Sequence, residues 1–326
     1  MSLDDHTMVL GLDGGGSHTV CVAMHPPGVI VGRGEGGPGN ATTSSTEGMR
    51  RSIRDAIGGA LSGQRQSMVV GLCAAVAGSA NPAATDAALV NLRDALGESG
   101  FDSEHVAMSV IPDAYAALVA GSRATSGMVA VSGTGSIVWG RGHDGQTARA
   151  DGWGYLLGDD GSGYALGRQA MRAVMRSHDG RSEPTLLTDL VLRHFGLRSP
   201  EQLVERAYFP PLSVAEIAAL ALPVCKAAEA GDRVAIGMVK SAGEAIAAGI
   251  GAVAARLRFA DGPIPLVLAG GLFQNAVYIQ MVEKCLSRLA LEMAMYTPTT
   301  EPAVGAGWLA LFAAGLEGPL GSCLLY

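Results

Sequence analysis

Leu10-Gly11-Leu12-Asp13-Gly14-Gly15-Gly16-Ser17-His18-Thr19 ends a short apolar run in an acid, three glycines and two hydroxyl residues. Met8–Leu12 and Thr19–Met24 are both apolar, so the stretch reads as a strand, a tight turn and a second strand: a β-hairpin with a nearly bare tip. Glycines at such a tip adopt positive φ readily and let backbone N–H groups approach a ligand that a Cβ would hold away. Successive N–H donors in a turn form a concave anion site, suited to the phosphates of a nucleotide. Asp13 is placed to hold a Mg²⁺ ion accompanying those phosphates, because Mg²⁺ favours one or two carboxylates plus phosphate oxygens and water. Ser17 and Thr19 add hydroxyl donors. An ordinary hairpin turn with Asp13 as a turn-former fits the same residues.

Later the chain repeats this design. Met128–Ser132 is an apolar strand, Gly133-Thr134-Gly135-Ser136 a glycine and hydroxyl turn, and Ile137–Gly140 a returning strand. One such hairpin in each half predicts duplicated domains whose turns face one another across a cleft, gripping nucleotide phosphates from both sides. Between them, apolar strands at Ser67–Cys73 and His105–Ile111 alternate with helical spacing at Thr46–Leu61, Pro82–Leu96 and Tyr115–Ala120. That alternation predicts a mostly parallel sheet covered on both faces. Ligands of such sheets lie beyond the carboxyl ends of strands, where Asp13 and Asp113 both fall. Asp113, between a strand and a helix, fits either a helix cap or a functional acid.

Three further stretches invite ligands. Asn40 follows the loop Glu35-Gly36-Gly37-Pro38-Gly39 and carries donors and an acceptor suited to a sugar hydroxyl or acetamido group, though asparagine also simply favours loops. Asp151-Gly152-Trp153-Gly154 runs through Gly158-Asp159-Asp160-Gly161-Ser162 into a helix at Ala165–Arg176. Trp153 suits stacking near a sugar ring and Asp159 suits sugar hydroxyls, whereas Asp160 and Ser162 are better placed to cap the helix. Ile264–Leu268 is a strand leading through Ala269-Gly270-Gly271-Leu272-Phe273-Gln274-Asn275 to a helix, and the two glycines make a surface on which a flat ring can lie. From Arg181 to Phe259 the pattern is helical almost throughout, and Gly305 and Gly307 in a last helix, Pro302–Leu316, suggest close backbone contact with a ligand or neighbour.

With 326 residues the chain is long enough for two domains. It is 48% hydrophobic, has 46 glycines and only 5% aromatic residues, which is an Ala/Gly-rich α/β composition and not a disordered one. Cys21, Cys73, Cys225, Cys285 and Cys323 are scattered without a CxxC pair, which argues against zinc, an iron–sulfur cluster or a disulfide framework and predicts a cytoplasmic protein. A net charge of -7 without basic runs predicts no nucleic-acid partner. The longest purely apolar stretch, Ala245–Ala255, is too short to cross a membrane, so none is expected as a partner.

Taken in order, these motifs resemble the N-acetylglucosamine kinase and BadF/BadG/BcrA/BcrD group of the sugar kinase, Hsp70 and actin superfamily. Asp13-Gly14-Gly15-Gly16-Ser17 is similar to its first phosphate motif, Gly133-Thr134-Gly135-Ser136 to its second, and Ala269-Gly270-Gly271 to its adenosine motif. Gly152-Trp153-Gly154 through Ser162 is similar to the sugar loop of amino-sugar kinases. The resemblance implies an α/β fold of two ribonuclease H-like (actin-like ATPase) domains with a central interdomain cleft. The first lobe is expected at residues 1–115, completed by a C-terminal helix in 302–326, and the second at 116–301.

The same resemblance implies an ATP- and Mg²⁺-dependent kinase of N-acetylglucosamine or glucosamine, acting on the 6-hydroxyl with Asp113 as base. Gly14, Gly15, Gly16, Ser17, Thr19, Gly133, Thr134, Gly135, Gly270, Gly271 and Asn275 would contact the nucleotide. Asn40, Thr134, Gly152, Trp153, Gly154 and Asp159 would contact the sugar, and Asp13 the metal. A homodimer is expected. Closing the lobes would exclude water, which otherwise competes as phosphoryl acceptor. Asp151 stands where a glycine is common in the family, and the loop Ala77-Gly78-Ser79-Ala80 is too degenerate to assign. Alternatives on related folds are an ATPase activating a radical dehydratase, which needs cysteines for an iron–sulfur cluster; a repressor, which needs an added helix-turn-helix; and a sensor that binds sugar and nucleotide without turnover.

Overall fold

The computed structural model describes residues 6–15, 18–39, 46–64, 67–76 and 82–320, with residues 46 and 82–84 through their backbone alone. Contacts divide the chain into two compact units, Met1–Gly127 joined by Tyr296–Tyr326, and Met128–Met295. The boundaries therefore fall at 127/128 and 295/296, not at the expected 115/116 and 301/302. A cut at 115 would sever the helix α3 (Asp113–Ser122), whose buried Ala116 and Val119 share a core with the final helix α11 (Pro302–Ala313).

The first unit is a sheet of β1 (Thr7–Gly14), β2 (Thr19–His25), β3 (Val29–Gly36), β4 (Met68–Val76) and β5 (Ala107–Ile111), in the order β3-β2-β1-β4-β5. β1 runs antiparallel to β2 and parallel to β4, and β4 parallel to β5. Strand side chains alternate between faces. Met8, Leu10 and Leu12 enter a core with α1 (Thr46–Ala60) and α2 (Pro82–Glu98), and Val9 enters a second core with α3 and α11. Gly11 shares the face of Val9, and a Cβ there would collide with the backbone of Ala303 and Gly307, so its bareness lets α11 lie directly on β1. Asp13, two residues on, points the same way.

β3 shows the same logic in a row. Cβ atoms on Gly32, Gly34 and Gly36 would meet the carbonyl oxygens of Ala60, Ala56 and Ser52. A strand period of two is thus matched to a helix step of four, and α1 rests on bare backbone.

The second unit repeats the order of the first. Its sheet is β10-β9-β6-β7-β8, formed by β6 (Gly127–Ser132), β7 (Ser136–Arg141), β8 (Thr147–Asp151), β9 (Ile264–Ala269) and β10 (Met293–Tyr296). Read from β8, each strand takes the place of its counterpart in the first unit, β6 matching β1 and β9 matching β4. β6 is parallel to β9, and β7 antiparallel to β8. The sequence reading has no strand at β8, because Thr-Ala-Arg-Ala-Asp carries too little apolar alternation to announce one.

Seven helices between β8 and β10 cover this sheet: α4 (Gly163–His178), α5 (Leu187–Phe195), α6 (Gln202–Tyr208), α7 (Val214–Ala218), α8 (Ala221–Glu229), α9 (Arg233–Ala254) and α10 (Ala276–Leu286). At 22 residues α9 is by length and composition apolar enough to cross a membrane, a match that the reading of Ala245–Ala255 alone did not find. Here it is a core helix: Met238, Val239, Ile246, Ile250 and Val253 are buried with residues of α8, α10 and β7.

Candidate active site

In the first unit two acids make their charge felt at a third because of where their elements start and stop. Asp13 lies at the carboxyl end of β1, paired with Val20 and Ala75. Asp113 opens α3 just beyond β5, and Glu301 is the residue that precedes α11. Burial and then the charges of Asp113 and Glu301 push the Asp13 carboxyl up to about 7. Asp113 is exposed, and among the described residues its Oδ1 accepts a hydrogen bond from the next amide alone, Ala114 N, at 2.9 Å. The helix N-cap is Pro112 and makes no side-chain cap, so Asp113 does not cap α3 from outside. Glu301 is tied to Arg33 by paired bonds of 2.9 and 3.1 Å from Nε and Nη2. Sequence reasoning passed over Glu301; the signal available was an acid directly before the proline that starts the last helix.

The first hairpin tip is stitched to the loop after β3. Gly15 N donates to His18 O at 3.1 Å, and Gly39 N donates to Gly15 O at 3.0 Å. Thr19 is fully buried and its hydroxyl donates to Gly37 O at 2.8 Å. Its expected place among the nucleotide contacts is therefore corrected: the hydroxyl is spent on holding the 37–39 loop. Gly14 sits under Gly39 O, with room at 3.2 Å for no more than a strained Cβ. Gly16, Ser17, Asn40 and the 77–80 loop lie outside the described residues.

In the second unit the glycine turn, the sugar-like loop and the ring-like surface converge. The turn closes on itself through Gly133 N to Gly135 O at 2.9 Å, and the first amides of α4 bond its carbonyls, Gly163 N to Gly133 O at 2.7 Å and Tyr164 N to Thr134 O at 3.3 Å. Thr134 is exposed at the tip. Gly270 has φ 100° and a Cβ on it would strike the Ser132 backbone, so β9 can end beside β6 only with glycine there. Gly271 has open space around its Cβ position and lies next to Gly133. Asn275 is the N-cap of α10, its Oδ1 accepting from Val277 N and Tyr278 N at 3.1 and 3.2 Å, so that oxygen serves the helix.

Asp159 is 9% exposed, with its Oδ1 buried and, among the described residues, without a hydrogen-bond partner. Its carboxylate lies so close over Gly135 that a Cβ there would be 2.8 Å from Oδ2. Burial, then the charge of Asp151, raise its pKa, against the pull of the Ser136 and Gly154 amides. Asp151 itself is a brace: its Oδ1 accepts from Asp159 N at 2.6 Å and its Oδ2 from Ser136 Oγ at 3.1 Å. Ser162 caps α4 by accepting from Ala165 N at 3.1 Å, whereas Asp160 is exposed and does not cap, which corrects the capping expected of it. Trp153, between Gly152 and Gly154 with φ 73° and 85°, is 62% exposed and carries the Arg149 guanidinium 3.9 Å from its ring centroid.

The profile of the BadF/BadG/BcrA/BcrD ATPase family matches residues 10–313, nearly the whole of the span just described. The chain belongs to this family. It is 32% identical over 272 residues to an N-acetylmuramic acid/N-acetylglucosamine kinase of Clostridium acetobutylicum, covering 83% of this chain and 87% of that one. It is 29% identical over 317 residues to an N-acetyl-D-glucosamine kinase of Dictyostelium discoideum, covering 93% and 97%. Among solved structures, a Chromobacterium violaceum protein provisionally titled an N-acetylglucosamine kinase superposes with a TM-score of 0.68 at 25% identity, over 93% of this chain and 98% of that one. A Streptomyces griseus ROK family glucokinase with glucose and AMPPNP shares the fold, with a TM-score of 0.53 at 18% identity over 93% and 99%. The two units are ribonuclease H-like domains of the actin-like ATPase type.

Family membership implies ATP, and the residues present fit it. Bare backbone at Gly135 and Gly271 lets a ligand approach without meeting a side chain, whereas the N–H groups of Gly15 and Gly133 are already donated to His18 O and Gly135 O. The half-buried Asp13, destabilised as an anion by desolvation and then by the charges of Asp113 and Glu301, would be relieved by a divalent cation. Among the described residues no three of His, Cys, Asp and Glu converge as a metal-holding group, so a cation there would draw most of its shell from water and phosphate oxygens. The four described cysteines are buried and free, and burial pushes the Cys21 thiol up to about 12. Cys323 is outside the described residues.

Proposed function

We propose that the chain is an ATP- and Mg²⁺-dependent kinase of N-acetylated amino sugars, transferring the γ-phosphoryl group to the sugar 6-hydroxyl. The observation that carries this reading is the exposed carboxylate of Asp113, free of any ion pair among the described residues, near the half-buried carboxylate of Asp13. Phosphoryl transfer needs mainly positioning, charge stabilisation and one carboxylate on the attacking hydroxyl. Asp113 takes the proton of that hydroxyl, and Asp13 serves the metal, whose chemistry is to neutralise phosphate charge. Asp159, with an unpartnered buried oxygen, accepts a sugar hydroxyl, and Trp153 supplies a ring face against the pyranose.

Preference for the acetylated sugar is supported by Leu156 and Leu157, 79% and 82% exposed beside Trp153, which gain by covering an acetyl methyl and would gain nothing from a free amine. The Clostridium relative's name adds N-acetylmuramic acid as a second substrate of the same class.

The test is a panel of N-acetylglucosamine, glucosamine and N-acetylmuramic acid with ATP and Mg²⁺, following ADP release and locating the phosphate by ³¹P–¹H correlation. ADP release with an acetylated sugar and phosphate on O6 supports the reading. ADP release indifferent to every sugar would contradict it and favour the ATPase of the activator type.

A further inference from the structure

The sequence shows no basic run, yet the fold collects one. Arg168, Arg172 and Arg176 recur every four residues along α4 and so share one face, rising about 6 Å per step and spanning about 12 Å. All three are exposed, and among the described residues none has an ion-pair partner. This is unusual for a chain of net charge -7, in which acids outnumber the basic residues available to pair with them.

Two cavities flank the row. One, of 580 Å³, lies toward α6 and has an apolar lining of Met171, Met175 and Leu203 with Tyr208 at its rim. The other, of 440 Å³, lies toward α9 and is lined by Val234, Met238 and Ser182. The three arginines line both, and among the described residues no Asp or Glu lines either. Each volume is within the range of small-ligand sites, and guanidinium groups recognise phosphate by paired donors.

The geometry points to a regulatory site, separate from the phosphoryl-transfer residues, for a diphosphate diester: a pyrophosphate across the arginine row with a ring group in each flanking cavity. Nucleoside diphosphate sugars and dinucleotides share this chemistry. A monoanion with one ring would leave one cavity and at least one arginine unused. The placement does not depend on which sugar the enzyme phosphorylates.

Calorimetric titration distinguishes the sources. The probes are UDP-N-acetylglucosamine, NAD⁺, inorganic pyrophosphate and a twenty-residue oligothymidylate, each added to protein with ADP, Mg²⁺ and N-acetylglucosamine already saturating. We expect one diester to bind with pyrophosphate at least tenfold weaker, and the triple variant R168Q/R172Q/R176Q to lose about a hundredfold in affinity or more, since each charged bond carries about tenfold. The variant's melting temperature and its kinase rate without the diester should stay parental. Unchanged affinity in the triple variant, binding abolished by the saturating ADP, pyrophosphate binding as tightly as the diester, or the oligonucleotide binding more tightly than either, would each overturn the assignment.

Discussion

The hydroxyls of Ser132 and Tyr278 lie 3.0 Å apart, and each donates to the carbonyl of Gly161 at 2.6 Å. One oxygen at the end of the sugar-like loop thereby ties the strand before the second glycine turn to the helix after the ring-like surface. Both hydroxyls are buried, and removing one leaves the carbonyl with its other partner. Tyr278→Phe should cost about 1 kcal/mol and Ser132→Ala a similar amount. The double variant should cost more than their sum, because it leaves Gly161 O unpaired. Urea denaturation of the four proteins measures this; strict additivity would mean that the two bonds act independently.

Glycines in this chain serve two different ends, and alanine substitution separates them. Gly34→Ala drives a methyl into Ala56 O and should lower stability by about 1–3 kcal/mol, with little effect on the substrate constants of the folded fraction. Gly271→Ala meets nothing within 4 Å, so its urea midpoint should stay parental while the KM for ATP rises. A Gly271→Ala protein with parental KM for ATP would remove that turn from the nucleotide contacts.

The hairpin tips, the acids at strand ends and the duplication were legible in the sequence because each depends on local chemistry: glycine where backbone must be bare, an acid where an apolar run stops. The partners of those residues were not legible. Thr19 reads as a ligand donor until Gly37 O is seen beside it, and Asn275 until two amides are found on its Oδ1. Asp151, which no local pattern explains, becomes intelligible once Asp159 N and Ser136 Oγ are seen on its carboxylate. Glu301 stayed unnoticed because its nearness to Asp13 is made by Gly11, which lets α11 settle on β1.

Asp13 carries a stability cost with a defined sign. Its carboxyl is raised from 3.8 to about 7 in the folded protein, so the native state holds a proton that the unfolded chain releases. Stability therefore falls as pH rises from about 4 to about 7 and the full penalty, on the order of 4 kcal/mol, stands above pH 7. In EDTA, Asp13→Asn should be more stable than the parent at pH 8 and nearly equal to it at pH 4, while Mg²⁺ with ADP should stabilise the parent alone. Thermal melts across this range check it; equal melting temperatures at pH 8 would contradict the assigned burial and charge.

Trp153 and Asp159 differ in what their loss should do. Trp153 is largely exposed, so Trp153→Ala should change stability by less than about 0.5 kcal/mol and raise the sugar KM, leaving that for ATP alone. Asp159→Asn keeps the shape but turns an acceptor pair into a mixed donor and acceptor beside Gly135; it too should raise the sugar KM. Initial rates at varied sugar and fixed ATP measure both, and a shift in the ATP constant alone would move these residues to the nucleotide side.

The proposed phosphoryl transfer rests on one carboxylate, and Asp113→Asn tests it most directly. With ATP, Mg²⁺ and N-acetylglucosamine, kcat should fall by about 100-fold to 10,000-fold while ATP binding, followed by calorimetry, stays within a few-fold of the parent. ADP release at the parental rate with sugar present would show that some other group accepts the hydroxyl proton.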